Sequence, residues 1–231
     1  KGQLKRVRVE VDPILEAGEI AQRVLRNGGP ALLFERPRGS SVPLLMNLFG
    51  TMDRVRTAIG REPAEIGHEL LAAAQRATPP TIKGLWESRS VLKRALAMRP
   101  SRVSTGICQE VTEEPDLTRL PILQCWPLDA GRFITWGMVL THHPRSGRRN
   151  LGLYRLQVFD KASTGMHWQS MKGGRGHYWE AEQQGEALEA AVVIGAEPIL
   201  MMSAILPLPE DMDEIGFAGF LRGKRVPLVR A

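Results

Sequence analysis

The sequence predicts an N-terminal α/β domain over residues 1–100 followed by a strand-rich domain over residues 101–231, and three observations carry that prediction. A strand, a helix and a buried strand follow one another between Lys5 and Phe34, the order of a βαβ-like unit. Helical spacing then dominates as far as Arg99-Pro100, where a proline stops it. Beyond that point short segments separated by turn-rich joints take over, the pattern of an antiparallel sheet or barrel with flanking helices.

Each element has a local reason. Lys5–Val11 reads as the first strand. Asp12 can cap a helix whose first position is Pro13, and apolar residues continue at helical spacing through Leu25. Gly28-Gly29 closes that helix, and Ala31–Phe34 reads as buried strand. Met52–Ile59, Pro63–Ala77 and Leu85–Met98 look helical, with Thr78-Pro79-Pro80 as a break. In the second domain Cys108–Val111, Phe133–His142, Leu153–Asp160 and Gly165–Gln169 read as strands, joined by turns at Pro144–Gly147 and Lys161–Thr164. Glu180–Ala191 returns to helical spacing. The apolar stretch Ala190–Leu208 reads as a strand plus a short helix at Glu197–Ile205. Asp211–Leu221 carries Ile215, Phe217, Ala218 and Leu221 at offsets of a last amphipathic helix.

Composition narrows the function classes. With 231 residues and 43% hydrophobic content, the chain can bury one large core or two smaller ones. The net charge of +6 would suit nucleic acid, but acidic and basic residues are interleaved, and two Tyr and six Phe supply no base-stacking platform. An anionic small molecule accounts for the basicity equally well. Cys108 and Cys125 are too few and too far apart for a disulfide framework or a structural zinc site, which fits a reducing cytoplasm. No signal peptide or membrane span is evident, because Ala190–Leu208 is interrupted by Gly195, Glu197 and Pro198. The sequence opens at Lys1 without an initiator Met and stops at Ala231 just after the extended-looking run Arg225–Val229, so a longer polypeptide is expected.

The chemistry concentrates in Asn150–Gln169, NLGLYRLQVFDKASTGMHWQ, expected as one β-hairpin. On a strand Asn150, Gly152 and Tyr154 point one way and Leu151, Leu153 and Arg155 the other, unless Gly152 marks a bulge. The Asn150 amide oxygen suits a hard cation, Gly152 lets a ligand approach the backbone, and Arg155 can grip a carboxylate bidentately. Taken alone, local chemistry favours reading Asn150 as a turn residue and Arg155 as half of a surface ion pair. Glu214, near the start of the last helix after Leu206-Pro207-Leu208-Pro209, suits either a helix-dipole cap or a metal ligand.

The ordered segments LKRVRVEVDP, GGPALLFE, NLFGT, LTRLPIL, RFIT, NLGLYRLQVFD, TGMHWQ, VIGAEP and DEIGFAGFLRG resemble the UbiD-like decarboxylases, over nearly the whole chain. The resemblance implies an FMN-binding split β-barrel-like domain in residues 101–231 and reversible decarboxylation of an aromatic or α,β-unsaturated acid with prenylated FMN. It implies that Asn150 and Glu214 bind a divalent metal, Mn2+ or Mg2+, that bridges to the cofactor phosphate, with K+ as a second cation. It implies, too, that Arg155 engages the substrate carboxylate as the catalytic residue. By the same resemblance the backbone of Asn150, Leu151, Gly152, Leu153, Tyr154 and Arg155 is expected along the cofactor, and Ser170, Met171 and Pro207 align with the family's cofactor-lining positions. A homo-oligomer, dimer or hexamer, is implied, with a small carboxylic acid rather than nucleic acid or membrane as partner.

Two departures qualify the resemblance. Where the family has a third metal ligand, a His before Lys-Gly-Gly, this chain has Met171, and a thioether is a poor ligand for Mn2+ or Mg2+. Water, a neighbouring group, His167 or His177 are alternatives for that place. The family's paired acidic residues, which handle the proton, lie beyond Ala231, and the cluster Glu110, Glu113, Glu114 reads as solvated charge. Trp126, Trp136, Trp168 and Trp179 fit core anchors as well as an aromatic pocket, and Thr135 suits a ligand-facing position. An ordinary FMN-binding oxidoreductase and an inactive cofactor-binding or assembly subunit are the competing readings.

Overall fold

The computed structural model describes residues 2–76, 82–170, 172–209 and 212–230. The first stretch runs β1 (Leu4–Val11), α1 (Glu16–Arg26), β2 (Ala31–Pro37), β3 (Leu44–Met46) and α2 (Met52–Ile59). Helices α3 (Pro63–Arg76), α4 (Ile82–Glu87) and α5 (Arg89–Ala95) follow, then β4 (Ser101–Arg102) and β5 (Phe133–Ile134). The remainder is β6 (Met138–His142), β7 (Arg149–Leu153), β8 (Leu156–Val158), β9 (Thr164–Met166), α6 (Gly173–Gln183), β10 (Ala190–Val193), α7 (Pro198–Ser203), α8 (Glu214–Arg222) and β11 (Pro227–Leu228). Two compact units interleave along the chain. One holds residues up to Val55 with Glu113–Gly137 and Tyr154–Trp168; the other holds Arg56–Thr112, Met138–Leu153 and the chain from Gln169 onward.

In the first unit β1 lies parallel to β2 and β3 antiparallel to it. The crossover helix α1 carries Glu16 and Glu19 in its first turn and Arg23 and Arg26 in its last, the distribution that complements the helix dipole. Its Ala17 and Ala21 pack on Val11, Leu32, Phe34 and Leu123 in one apolar cluster. The predicted βαβ opening is therefore present, but the helix starts at Glu16 rather than Pro13. The Asp12 carboxylate takes the Ile14 N–H at 2.8 Å, Leu15 adopts a left-handed φ of 66°, and only then does the helix begin. Arg54, 6% exposed, donates to the carbonyls of Leu48 and Gly29 and to the Gln3 side chain, tying α2 to the opening unit. Strands β5, β8 and β9 form a second antiparallel sheet.

In the second unit β6 lies between β10 and β7, all antiparallel, and β4 pairs with β11 in parallel. Every residue of α8 from Ile215 to Leu221 is buried, so this helix is enclosed on all sides instead of amphipathic. It approaches the chain at Ala97 and Met98 through Gly216 and Gly219, where a Cβ would run into backbone carbonyl oxygens. The four sheets are small, and among the described residues none closes into a barrel. Among the described residues no helix is long and apolar enough to cross a membrane.

Several predicted elements shift, each for a local reason. Leu85–Met98 is interrupted at Ser88, whose φ of −92° and ψ of 8° separate α4 from α5, and it ends in a 3-10 turn at Leu96–Met98. Cys108–Val111 is not a strand: Ile107–Gln109 is a 3-10 turn, and the exposed residues after it have no face to bury. Phe133–His142 divides at Thr135–Gly137 into strands of two sheets, and only Leu156–Val158 of Leu153–Asp160 pairs as β8. The helix placed at Glu180–Ala191 lies earlier, as α6, because Gly185 at a φ of 67° turns the chain before β10. The break at Thr78-Pro79-Pro80 lies outside the described residues.

Gly219→Ala should lower the urea-unfolding free energy by roughly 2–3 kcal/mol, since rigid backbone stands where the methyl would go. Gly67→Ala, in the exposed interior of α3 with nothing within 4 Å, should raise it by about 0.5–1 kcal/mol. Equal effects of the two changes would contradict this packing.

Candidate active site

Strand β7 is an edge strand whose register with β6 runs regularly from Met138↔Leu153 to His142↔Arg149, so Gly152 marks no bulge. Asn150 and Gly152 therefore face one way, and Arg149 and Leu151 the other. The Asn150 face is covered by the start of α6. Thr141, opposite Asn150 in the register, has its Oγ1 2.9 Å from His177 Nδ1, and a Cβ on Gly173 would fall on Asn150 Oδ1. A glycine thus opens α6 at position 173 because the Asn150 amide occupies the space of a side chain.

The edge of β7 is closed by the start of α8. Asp213 caps the helix by accepting the Ile215 N–H at 3.1 Å and pairs with Arg149. Glu214, in the first turn, accepts the Leu151 N–H at 3.1 Å through Oε2. An amide and a carboxylate that are distant in sequence thereby reach adjacent residues of one strand. Burial pushes the Glu214 carboxyl above the usual range, against the lowering effect of the N–H groups of Leu151 and of its own backbone. A carboxylate in that state gains from any cation placed beside it.

His177 is 3% exposed, and burial, reinforced by His143, Arg148 and His142, holds its imidazole down at about 4. It packs α6 on the sheet as a neutral hydrogen-bonding group, while His167 is exposed. On the Arg149 face an open cavity of about 360 Å³ is bordered by Arg102, His142, Arg148, Arg149 and Asp213. Ser170 sits in an exposed turn before α6 and Pro207 is exposed between α7 and α8. Met171 lies outside the described residues. Among those described, no three His, Cys, Asp or Glu side chains form a metal-type cluster.

Strand β7 stops at Leu153, so Asn150–Gln169 is not a single hairpin, and Tyr154 and Arg155 belong to the first unit. Tyr154 is 3% exposed, with Trp168 edge-on at 4.8 Å. The Arg155 guanidinium lies 3.7 Å above the Phe133 ring and pairs with Asp129 at 2.9 Å. Trp126, Trp136 and Trp179 are exposed, and Glu113 pairs with Arg119. Gly173 and Asp129 were not among the sequence-derived candidates. The paired glycines after Lys172 were the available signal for Gly173; nothing short of the tertiary contact singles out Asp129.

Known proteins similar to this chain point in one direction. Residues 100–231 match the 3-octaprenyl-4-hydroxybenzoate carboxy-lyase Rift-related domain, UbiD, and residues 1–74 match the N-terminal domain of the same carboxy-lyases. An uncharacterised protein of Archaeoglobus fulgidus is 45% identical over 228 residues, covering 98% of this chain and 47% of that protein. An evolved dimeric form of the UbiD-class enzyme HmfF from Pelotomaculum thermopropionicum, in complex with prFMN, is similar at 28% identity and a TM-score of 0.79, over 100% of this chain and 50% of that one. The closed form of vanillic acid decarboxylase from Sedimentibacter hydroxybenzoicus shares the fold at 23% identity and a TM-score of 0.81, over 100% and 48%. The chain spans about half the length of the relatives it matches.

The depressed His177 value fixes a pH dependence. Between about 4 and the ordinary 6.5 the unfolded chain binds the proton and the folded chain does not, so stability falls as pH falls through that window. The loss should reach roughly 3 kcal/mol near pH 4. Denaturant unfolding of His177→Gln across the same range should lack that part of the slope; an unchanged slope would remove His177 as its source.

Proposed function

The chain belongs to the UbiD carboxy-lyase family, and from that premise we propose that it forms the cofactor-binding part of an enzyme that reversibly and non-oxidatively decarboxylates an aromatic or α,β-unsaturated carboxylic acid with prenylated FMN. In this reading residues 1–100 are an N-terminal α/β domain and residues 101–231 an FMN-binding domain of split β-barrel type. The working protein is a cytoplasmic homo-oligomer.

The observation that supports the reading is that the Glu214 carboxylate accepts the backbone N–H of Leu151, the residue next to Asn150 on β7. Both offer hard oxygen donors, the chemistry that Mn2+ and Mg2+ select, and the Glu214 carboxyl is held where it lacks the solvation a charge requires. Asn150 and Glu214 would be the residues that hold a divalent cation, with K+ proposed as a second ion. Such a cation would compensate the charge of the flavin phosphate. In this reading the backbone of Asn150, Leu151, Gly152 and Leu153, with Ser170 and Pro207, would run along the cofactor.

When bound, the prenylated flavin supplies an electron sink for the carbanion equivalent left as CO2 departs. Arg155 holds the substrate carboxylate through its guanidinium and sets its orientation. As the carboxylate becomes neutral CO2, Arg155 loses its counter-charge, which favours release.

Adding Mn2+ should raise the thermal midpoint by several degrees, since a ligand at a hundred times its Kd stabilises by about 2.7 kcal/mol. Asn150→Ala and Glu214→Gln should each remove most of that rise, and a full rise in both variants would refute the metal site. Arg155→Ala in the full-length, flavin-loaded protein should cut turnover by at least about a hundredfold in a protein that still folds cooperatively and binds the flavin; wild-type turnover would exclude Arg155 from the reaction.

A further inference from the structure

We propose that Asp129 is a positioning residue for Arg155, fixing the orientation of the guanidinium and tempering its hold on the substrate carboxylate. The inference rests on the role given to Arg155 above, and the contacts that support it lie within one compact unit. The Asp129 side chain is 12% exposed against 43% for Arg155, so the acid is the fixed partner and the guanidinium the one that reaches outward. Asp129 is held from two sides: Oδ1 accepts from Arg155 at 2.9 Å, and Oδ2 accepts the Trp126 N–H at 3.2 Å. Its own N–H donates to the Trp126 carbonyl at 3.1 Å, which locks the turn that carries it. A carboxylate this enclosed is retained where it has a charged partner and hydrogen bonds to its remaining lone pairs, and here it has both.

The guanidinium is equally constrained. One face lies over the Phe133 ring at 3.7 Å, and one N–H donates to Asp129. Among the described residues it has no other side-chain partner, which leaves N–H donors for a second carboxylate. A freely rotating arginine would present these donors in many directions; this one presents them in one.

The charge of Asp129 adds a second effect. A reacting carboxylate gives up its negative charge as CO2 forms, so every increment of attraction felt only by the starting acid raises the barrier. An acid fixed beside Arg155 weakens that ground-state attraction while keeping the geometry. Removing its charge should therefore tighten substrate binding and slow turnover together, a combination that general loss of structure does not produce.

The test compares Asp129→Asn and Asp129→Glu with wild type in the full-length, flavin-loaded protein. Asp129→Asn should lower kcat about tenfold or more and lower KM about threefold. It should also tighten binding of benzoate, a non-reacting carboxylate read by titration of the flavin absorbance, with thermal unfolding unchanged. Asp129→Glu keeps the charge and should return kcat and benzoate affinity toward wild type. An Asn variant with unaltered kcat, or with a raised KM and weaker benzoate binding, overturns the proposal. If Arg155→Ala abolishes turnover while Asp129→Asn changes nothing, the role of Asp129 alone is lost; if Arg155→Ala also has no effect, the reading of Arg155 falls with it.

Discussion

The hydrogen bond from the Leu151 N–H to the Glu214 carboxylate is the contact around which the second unit is arranged. An edge strand presents a row of backbone N–H groups, and one partly enclosed by neighbouring elements must find an acceptor. Here α8 supplies it from its first turn, with Asp213 and Arg149 making an ionic tie alongside. The helix reaches that position only because Gly216 and Gly219 let its other side close on the carbonyls of Met98 and Ala97. Backbone approach on one side of α8 and carboxylate placement on the other are thus a single requirement.

The first unit solves a different problem. Its cationic group is long and flexible, and its direction is set by the aromatic face of Phe133 below and the enclosed Asp129 beside it. Arginine suits such a place because its planar, delocalised charge stacks on a ring while its N–H groups stay in fixed directions. Tyr154, enclosed against Trp168, anchors the backbone immediately before Arg155.

Much of this was legible in the sequence where local chemistry decides the outcome. The βαβ opening followed from Gly28-Gly29 and from helical spacing between two apolar strands, and the last helix from its spacing after a proline-rich bend. Asn150 and Glu214 stood out as candidates because the motifs around them are ordered and specific, and the structure brings Glu214 to the strand that carries Asn150. The errors fell where tertiary contact overrides local preference. A start at Pro13 was reasonable until the Asp12 carboxylate turned to Ile14. Cys108–Val111 has strand-forming residues and no partner strand, and α6 begins at glycines that local propensity would exclude. Asp129 carried no signal because its importance lies in a contact with a residue 26 positions away.

The neutrality of the group at position 150 has its own electrostatic consequence. With an amide there and Glu214 as the anionic donor, a divalent ion in the proposed place would retain one unit of positive charge after both protein ligands are counted. That residual charge is what would make the place attractive to a phosphoryl oxygen. An aspartate of nearly the same shape would cancel it and leave an ion satisfied by protein alone, so the choice between two almost isosteric side chains separates a centre that recruits an anionic ligand from one that merely stores a cation.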